Sequence, residues 1–224
     1  MEVLYTGVLV DPTPKRVTSH RSGSGLVVTA NHPDVWGDLA AQSPSDWGPL
    51  EENGKQKLKR ILTSKVNGRV LEAMCGFRSY IYDCEGIEEV VALDFSEEAL
   101  ERYGHPNRRK VPFDLNNLRW GAQTTEFPDG YFDSVCITFG VNYLDDPSWV
   151  YREFGRVTNN RGKLLIVGNP NLGYRSLETE RFNPKRTAQT AYWAGFRDTK
   201  ISRLPIEMGG TRGKYYLVEA SKPT

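Results

Sequence analysis

Three carboxylates stand at or just past the ends of apolar runs: Glu72 in RVLEAM, Asp94 in EVVALD and Asp114 in KVPFD. They are roughly 20 residues apart, a spacing at which successive strands of one sheet are joined by short crossovers. A carboxylate in such a place either accepts protons from ligand hydroxyl or amino groups or caps the turn that follows. A fourth run, DSVCITF, is followed by Thr138, Phe139, Gly140, Asn142 and Tyr143. If the four runs are parallel strands, their carboxyl ends line one crevice, where sheets of this kind bind ligands. The segments singled out are 72–79, 94–96, 113–116 and 138–143.

Other chemistries find little support. The histidines are His20, His32 and His105, and none sits at zinc-ligand spacing. Neither a GxSxG elbow nor a P-loop occurs. Cys75, Cys84 and Cys136 form no CxxC pair, and their odd number argues against a disulfide framework. A reducing compartment, the cytoplasm, is the expectation. Cys75 reads as a packed thiol rather than a nucleophile. The run Arg108-Arg109-Lys110 reads as a solvated face.

The 224 residues carry 29 basic and 28 acidic side chains, a net charge of +1. That balance gives no whole-chain attraction for nucleic acid or an anionic membrane. No apolar run approaches the roughly 18 residues of a membrane helix. The first residues put apolar positions before basic ones, the reverse of a signal peptide.

These side chains need elements to position them. Residues 1–49 are rich in Pro, Gly, Ser and Asp, with anchors at Trp36 and Trp47, and read as an arm or lid. From residue 50 the patterning is regular, and one domain over 50–224 is expected. Leu58, Ile61, Leu62 and Val66 predict a helix over 50–66. Strands are expected at 69–74, 89–94, 110–113, 133–139 and 163–167. A short helix is read at 77–84, and another begins after the cap residue Ser96. Asp146-Pro147 opens a helix running to about Val157. A further helix over 186–194 is closed by Gly195. Strands at 199–203 and 215–220, joined through Gly209-Gly210, form a hairpin with one antiparallel edge strand. The expected fold is therefore α/β, a doubly wound and mostly parallel sheet.

The order of these segments resembles class I S-adenosylmethionine-dependent methyltransferases. VLEAMCG lies where that family has its first, glycine-rich motif, and VVALDFSEEAL is similar to the second. FPDGYFDSVCITFGVNYLDDP resembles the fourth-strand region, and REFGRVTNNRGKLLIVGNPN the segment usually written RVLKPGG plus its strand. WAGFRDTKISRL and YYLVEASKP resemble the closing helix and hairpin. The likeness spans about 69–221 and implies a seven-stranded Rossmann-like sheet. It also implies S-adenosyl-L-methionine as cofactor and methyl transfer to a small-molecule acceptor, with no nucleic acid or membrane partner. The alternative is a non-catalytic methyltransferase-like protein serving as a binding or scaffold partner.

The first motif departs from the family. Where the family commonly has an acid and three alternate glycines, this chain has Glu72, Met74, Gly76 and Arg78. Arg78, beside an expected helix N-terminus, either pairs with the cofactor's methionyl carboxylate or helps Met74 fill the pocket. The resemblance assigns Asp94 to the ribose hydroxyls, Phe95 and Leu115 or Phe113 to the adenine faces, and Asp114 to its amino group. The resemblance also implies that Glu72 organises the first loop and meets the cofactor, often through water, that Gly76 lets the backbone approach the cofactor, and that Thr138 faces the reacting end. A base, where the acceptor needs one, is sought among Tyr143, His32 and His20. Hydrophobic cover or a surface position is the other reading of each. Asn169 and Asn171 follow the fifth strand, as acceptor-pocket or turn residues.

Overall fold

A computed structural model describes residues 20–22, 25–27, 52–104, 108–121, 123–170, 182–206 and 214–224. Within the proposed arm, His20–Ser22 (β1) and Gly25–Val27 (β2) pair antiparallel. The rest of that arm lies outside the described residues, as do His32, Trp36, Trp47, His105, Asn171, Gly209, Gly210 and the side chain of His20.

Helix α1 (Glu52–Thr63) buries Leu58 and Leu62, one turn apart, with an acid in its first turn and Arg60 in its last. It precedes β3 (Gly68–Ala73), β4 (Ile87–Asp94), α2 (Glu97–Arg102) and β5 (Arg109–Pro112). A 3-10 turn at Leu115–Gly121 leads to β6 (Phe132–Thr138), and a second at Val141–Tyr143 follows it. Next come α3 (Pro147–Val157), β7 (Thr158–Gly168), α4 (Pro184–Trp193), β8 (Lys200–Leu204) and β9 (Tyr215–Ser221). Ser96 caps α2 by accepting from Ala99 N, and Asp146 caps α3 by accepting from Ser148 N, with Pro147 in the first turn.

Seven strands form one sheet in the order β5-β4-β3-β6-β7-β9-β8. The first five are parallel, and β9 runs antiparallel to both neighbours. The antiparallel strand is thus one place in from the edge, not at the edge as the sequence reading had it. β9 inserts between β7 and β8, so the chain lays down the outer strand first and the hairpin returns into the sheet with its second arm.

Alternate strand residues feed two cores. Leu71, Leu93, Ile137 and Ile166 face Tyr151, Phe154 and Phe196 on one side. Val70, Val90, Leu165 and Val167 face Leu58 and Leu62 of α1 on the other. Burial on both faces accounts for strands that read as continuous apolar runs.

One expected element does not form. Residues 77–84 are irregular, so β3 reaches β4 without a crossover helix. Their backbone is claimed by side chains instead: Tyr80 N–H donates to Glu72 Oε1, Ile81 N–H to Ser79 Oγ, and Tyr82 N–H to Thr63 Oγ1. Arg108 donates to the Ile81 carbonyl. These bonds replace the i to i−4 ladder of a helix.

Candidate functional site

Glu72 is buried next to the end of β3, and both of its carboxylate oxygens accept hydrogen bonds. Ser79 Oγ donates at 2.6 Å, Tyr80 N at 2.8 Å and Arg108 Nη1 at 3.3 Å; the Tyr103 hydroxyl donates too. Burial pushes the carboxyl above the ordinary glutamate range, and the donors and the Arg108 charge only partly pull it back. Burial beside Glu72 also drives the Tyr103 hydroxyl far upward, which keeps it a proton donor. Arg108, whose side chain is 3% exposed, further reaches Ser79 Oγ, the Ile81 carbonyl and Asp83. Reading Arg108 as part of a solvated face is thereby corrected. A buried acid needs a partner, and the first residue of the basic run supplies it.

Above this cluster the chain turns sharply. Met74 has φ 53° and Gly76 φ 56°, so the left-handed shape a glycine would adopt freely is kept at a methionine. A non-glycine residue there costs on the order of 1–2 kcal/mol. Gly76 N–H donates to Asp94 Oδ2 at 2.8 Å, and Ser96 N–H to Asp94 Oδ1 at 3.0 Å. One carboxylate therefore ties the β3 turn to the cap of α2. Burial raises the Asp94 pKa, two backbone donors and that of Phe95 lower it, and the nearby Asp114 charge adds to the rise. A Cβ added at Gly76 would meet nothing within 4 Å, so the space beside this turn is open.

The neighbouring strand tips converge here. Phe113 N–H donates to the Asp94 carbonyl at 2.9 Å, which sets Asp114 beside Asp94. Asp114 Oδ1 accepts from Asn116 N–H in a local turn. Leu115 is buried in the main core, whereas Phe95 and Phe113 are half-buried. Asn116 links this tip to the next one: its Oδ1 accepts from Asp145 N at 2.9 Å, and its Nδ2 donates to the Tyr143 carbonyl. Thr138, half-buried, ends β6. Phe139 follows with φ 64°, its N–H held by the Val167 carbonyl at 2.9 Å. At Gly140, a Cβ would stand 2.7 Å from Met74 Cβ and 2.8 Å from its Sδ, so the β3 and β6 turns pack directly.

The structure thus brings Gly76, Asp94, Phe95, Asp114 and Thr138 to the same ends of adjacent parallel strands. Arg78 goes elsewhere. With no helix at 77–84 the helix N-terminus expected beside it is not formed, and its Nη1 instead lies 3.6 Å from Glu52 Oε2 at the start of α1. Met74 leans on Gly140. Cys75 is half-buried, and burial with the Asp94 and Glu72 charges pushes its thiol well up, as befits a packed thiol. Asn169 is buried and accompanies the Tyr215 hydroxyl. Sequence reasoning missed Tyr80, Tyr103, Arg108 and the α1 residues Lys55 and Lys59 near the first loop. The buried Glu72 was the one signal that could have led to the first three.

Comparison with known proteins places this arrangement. Residues 71–166 match the family model described as a methyltransferase domain. A demethylmenaquinone methyltransferase of Renibacterium salmoninarum is 35% identical over 143 residues, covering 61% of this chain and 54% of the relative. The chain therefore spans about half the length of the curated relatives it matches. Among solved structures, an S-adenosylmethionine-dependent methyltransferase of Archaeoglobus fulgidus has a TM-score of 0.61 at 19% identity, covering 83% of this chain and 99% of that one. Phosphoethanolamine N-methyltransferase 2 of Haemonchus contortus, solved with S-adenosylhomocysteine and phosphomonomethylethanolamine, has a TM-score of 0.60 at 14% identity, covering 86% and 58%. At such identities the likeness is one of fold.

Proposed function

Since residues 71–166 match the methyltransferase domain family, we propose that this chain transfers a methyl group from S-adenosyl-L-methionine to a small-molecule acceptor. That family, and neighbours solved with S-adenosylhomocysteine, indicate this cofactor. The observation that carries the reading is the Asp94 carboxylate, which holds the β3 turn in a left-handed shape without the usual glycines and leaves open space beside Gly76. The residues present fit the adenosyl group: with three backbone donors on its roughly four lone pairs, the Asp94 carboxylate keeps acceptor capacity for a ribose hydroxyl, and Asp114 offers an acceptor for the adenine amino group. Phe95 and Phe113, both half-buried, supply the apolar walls, while Leu115 backs them from the core.

When bound, S-adenosylmethionine supplies a methyl group already activated by its sulfonium. The chain's own work is placement. Gly76, Asp94 and Asp114 fix the nucleoside end, while Thr138 and the turn at Phe139 face the reacting end. Holding donor and acceptor in line supplies rate through proximity and orientation. An acceptor with a free lone pair needs no base. A hydroxyl acceptor must lose its proton, and Tyr143 on the adjoining 3-10 turn is the described candidate to take it. The free cysteines Cys75, Cys84 and Cys136 support a cytoplasmic site of action. No helix among the described residues is long and apolar enough to cross a membrane.

A second reading, a methyltransferase-like protein without catalysis, is favoured by the irregular 77–84 segment, which offers a cofactor no helix N-terminus. Equilibrium binding of S-adenosylmethionine to wild type and Asp94→Asn, followed by S-adenosylhomocysteine release over a panel of small acceptors, separates the two. Binding weakened by about tenfold in the variant, with turnover in wild type, supports the enzyme. Tight binding without turnover of any acceptor supports the second reading. No binding removes the first.

A further inference from the structure

Between α1 and the irregular loop after β3 lies a cavity of about 200 Å3, bordered by Glu52, Lys55, Lys59, Arg78, Ser79 and Tyr80. Among the described residues that border it, three cations stand against one carboxylate. The carboxylate is shared: Glu52 Oε2 lies 3.9 Å from Lys55 Nζ and 3.6 Å from Arg78 Nη1, and it is itself well exposed. Lys55 is only 6% exposed, an unusual depth for an ammonium group. Lys59 Nζ sits over the Tyr82 ring, 4.4 Å from its centre. Burial first, and then the Arg108 and Arg78 charges, hold Lys59 below the ordinary lysine range, with Glu72 and Asp83 acting in the opposite sense. Like charges gathered in a concave, partly dry site repel one another, and an anion entering it is focused and stabilised.

The cavity also adjoins the strand-tip crevice. The Tyr80 ring on its wall meets the Phe139 ring edge-on at 6.1 Å, and Phe139 is the turn residue after β6. One wall residue of the cavity, Tyr80, thus also touches the turn at the reacting end of the candidate site.

We propose that this cavity binds the carboxylate or phosphate group of a small ligand, with Lys55, Lys59 and Arg78 as its counter-charges. Arg78 contributes a planar fork suited to either anion, and the two ammonium groups add point charge. That the ligand is the methyl acceptor rests on the methyl-transfer reading; the anion site itself does not.

The test is calorimetry on the full chain without cofactor, using inorganic phosphate, benzoate and the neutral control benzyl alcohol. Phosphate or benzoate binds wild type at millimolar or lower concentration, and benzyl alcohol does not. Lys59→Met, which keeps the stem over Tyr82, weakens the anion by about tenfold, and Lys59→Arg restores it. Unchanged thermal midpoints show that the variants fold. No anion binding to wild type, or equal binding to Lys59→Met, overturns the proposal. A second arm compares S-adenosylhomocysteine with 5′-methylthioadenosine, which lacks the amino-acid end. If Lys59→Met weakens the first by tenfold and spares the second, the cavity takes the cofactor's own carboxylate and the separate site is refuted. Anion binding by a chain that binds no S-adenosylhomocysteine sustains this site while sinking the methyl-transfer reading.

Discussion

Removing the Arg108 guanidinium tests the physical core of the account. It touches five acceptors: Glu72 Oε2 at 3.3 Å, Tyr103 Oη at 3.3 Å, Ser79 Oγ at 2.9 Å, and the Ile81 carbonyl and Asp83 Oδ1 at 2.8 Å each. Arg108→Met keeps much of the volume and leaves Glu72 buried without its counter-ion. Breaking one side of a buried pair costs about 3–5 kcal/mol, a large share of the roughly 5–15 kcal/mol by which domains are stable. With a urea dependence of about 2 kcal/mol per molar, the midpoint falls by about 2 M. The cost depends on pH in a defined sense. Glu72 titrates above its unfolded value already, and losing Arg108 raises it further. A folded-state acid with a raised pKa binds its proton more tightly than the unfolded chain does. It therefore costs stability as pH climbs from the unfolded value through the folded one. The gap between variant and wild type should narrow at pH 5 and widen at pH 8. Arg108→Lys, with charge but no fork, falls between them. A loss under about 1 kcal/mol, or a gap that ignores pH, would refute the claim that this ion pair holds the helix-less loop.

Three further outcomes follow from the same geometry. Met74→Gly relieves the left-handed backbone that Met74→Ala retains, while both lose the packing of the methionine side chain beyond Cβ; urea melts should find the glycine variant about 1 kcal/mol the more stable. Gly140→Ala drives a methyl to within 2.7 Å of Met74 Cβ and should cost about 1–3 kcal/mol by thermal or chemical unfolding. In Asp94→Asn one oxygen must serve where two now accept from Gly76 and Ser96, so a buried N–H loses its partner at about 1–3 kcal/mol, read as a lower denaturant midpoint. Because burial raises the Asp94 pKa, cofactor affinity in wild type should fall as pH drops, and should do so at a higher pH than an ordinary aspartate would give; calorimetric titrations across pH check this.

How much of this could be read beforehand depends on whether the signal is local. Ser96 and Asp146-Pro147 declared their helices because caps are written in neighbouring residues. The strand tips carrying Asp94, Asp114 and Thr138 were legible because both faces of the sheet are apolar. The segment at 77–84 misled because its spacing suits two helical turns, while its backbone partners Glu72, Thr63 and Arg108 lie outside it, with sequence separations of 8, 19 and 27. Arg108 was misread for the same reason, since nothing in Arg-Arg-Lys says that its first member meets a buried acid 36 residues away. The place of β9 inside the sheet is a matter of pairing between distant strands, and a hairpin pattern alone does not choose which arm lies outside.

The most direct measurement is a crystal structure with S-adenosylhomocysteine. The ribose is expected on the Asp94 carboxylate, the adenine against Phe95 and Phe113 with its amino group at Asp114, and the β3 turn unmoved at Met74 and Gly76. Density for the nucleoside anywhere else, or a Met74 side chain swung across Gly76 so that no ligand enters, would contradict it.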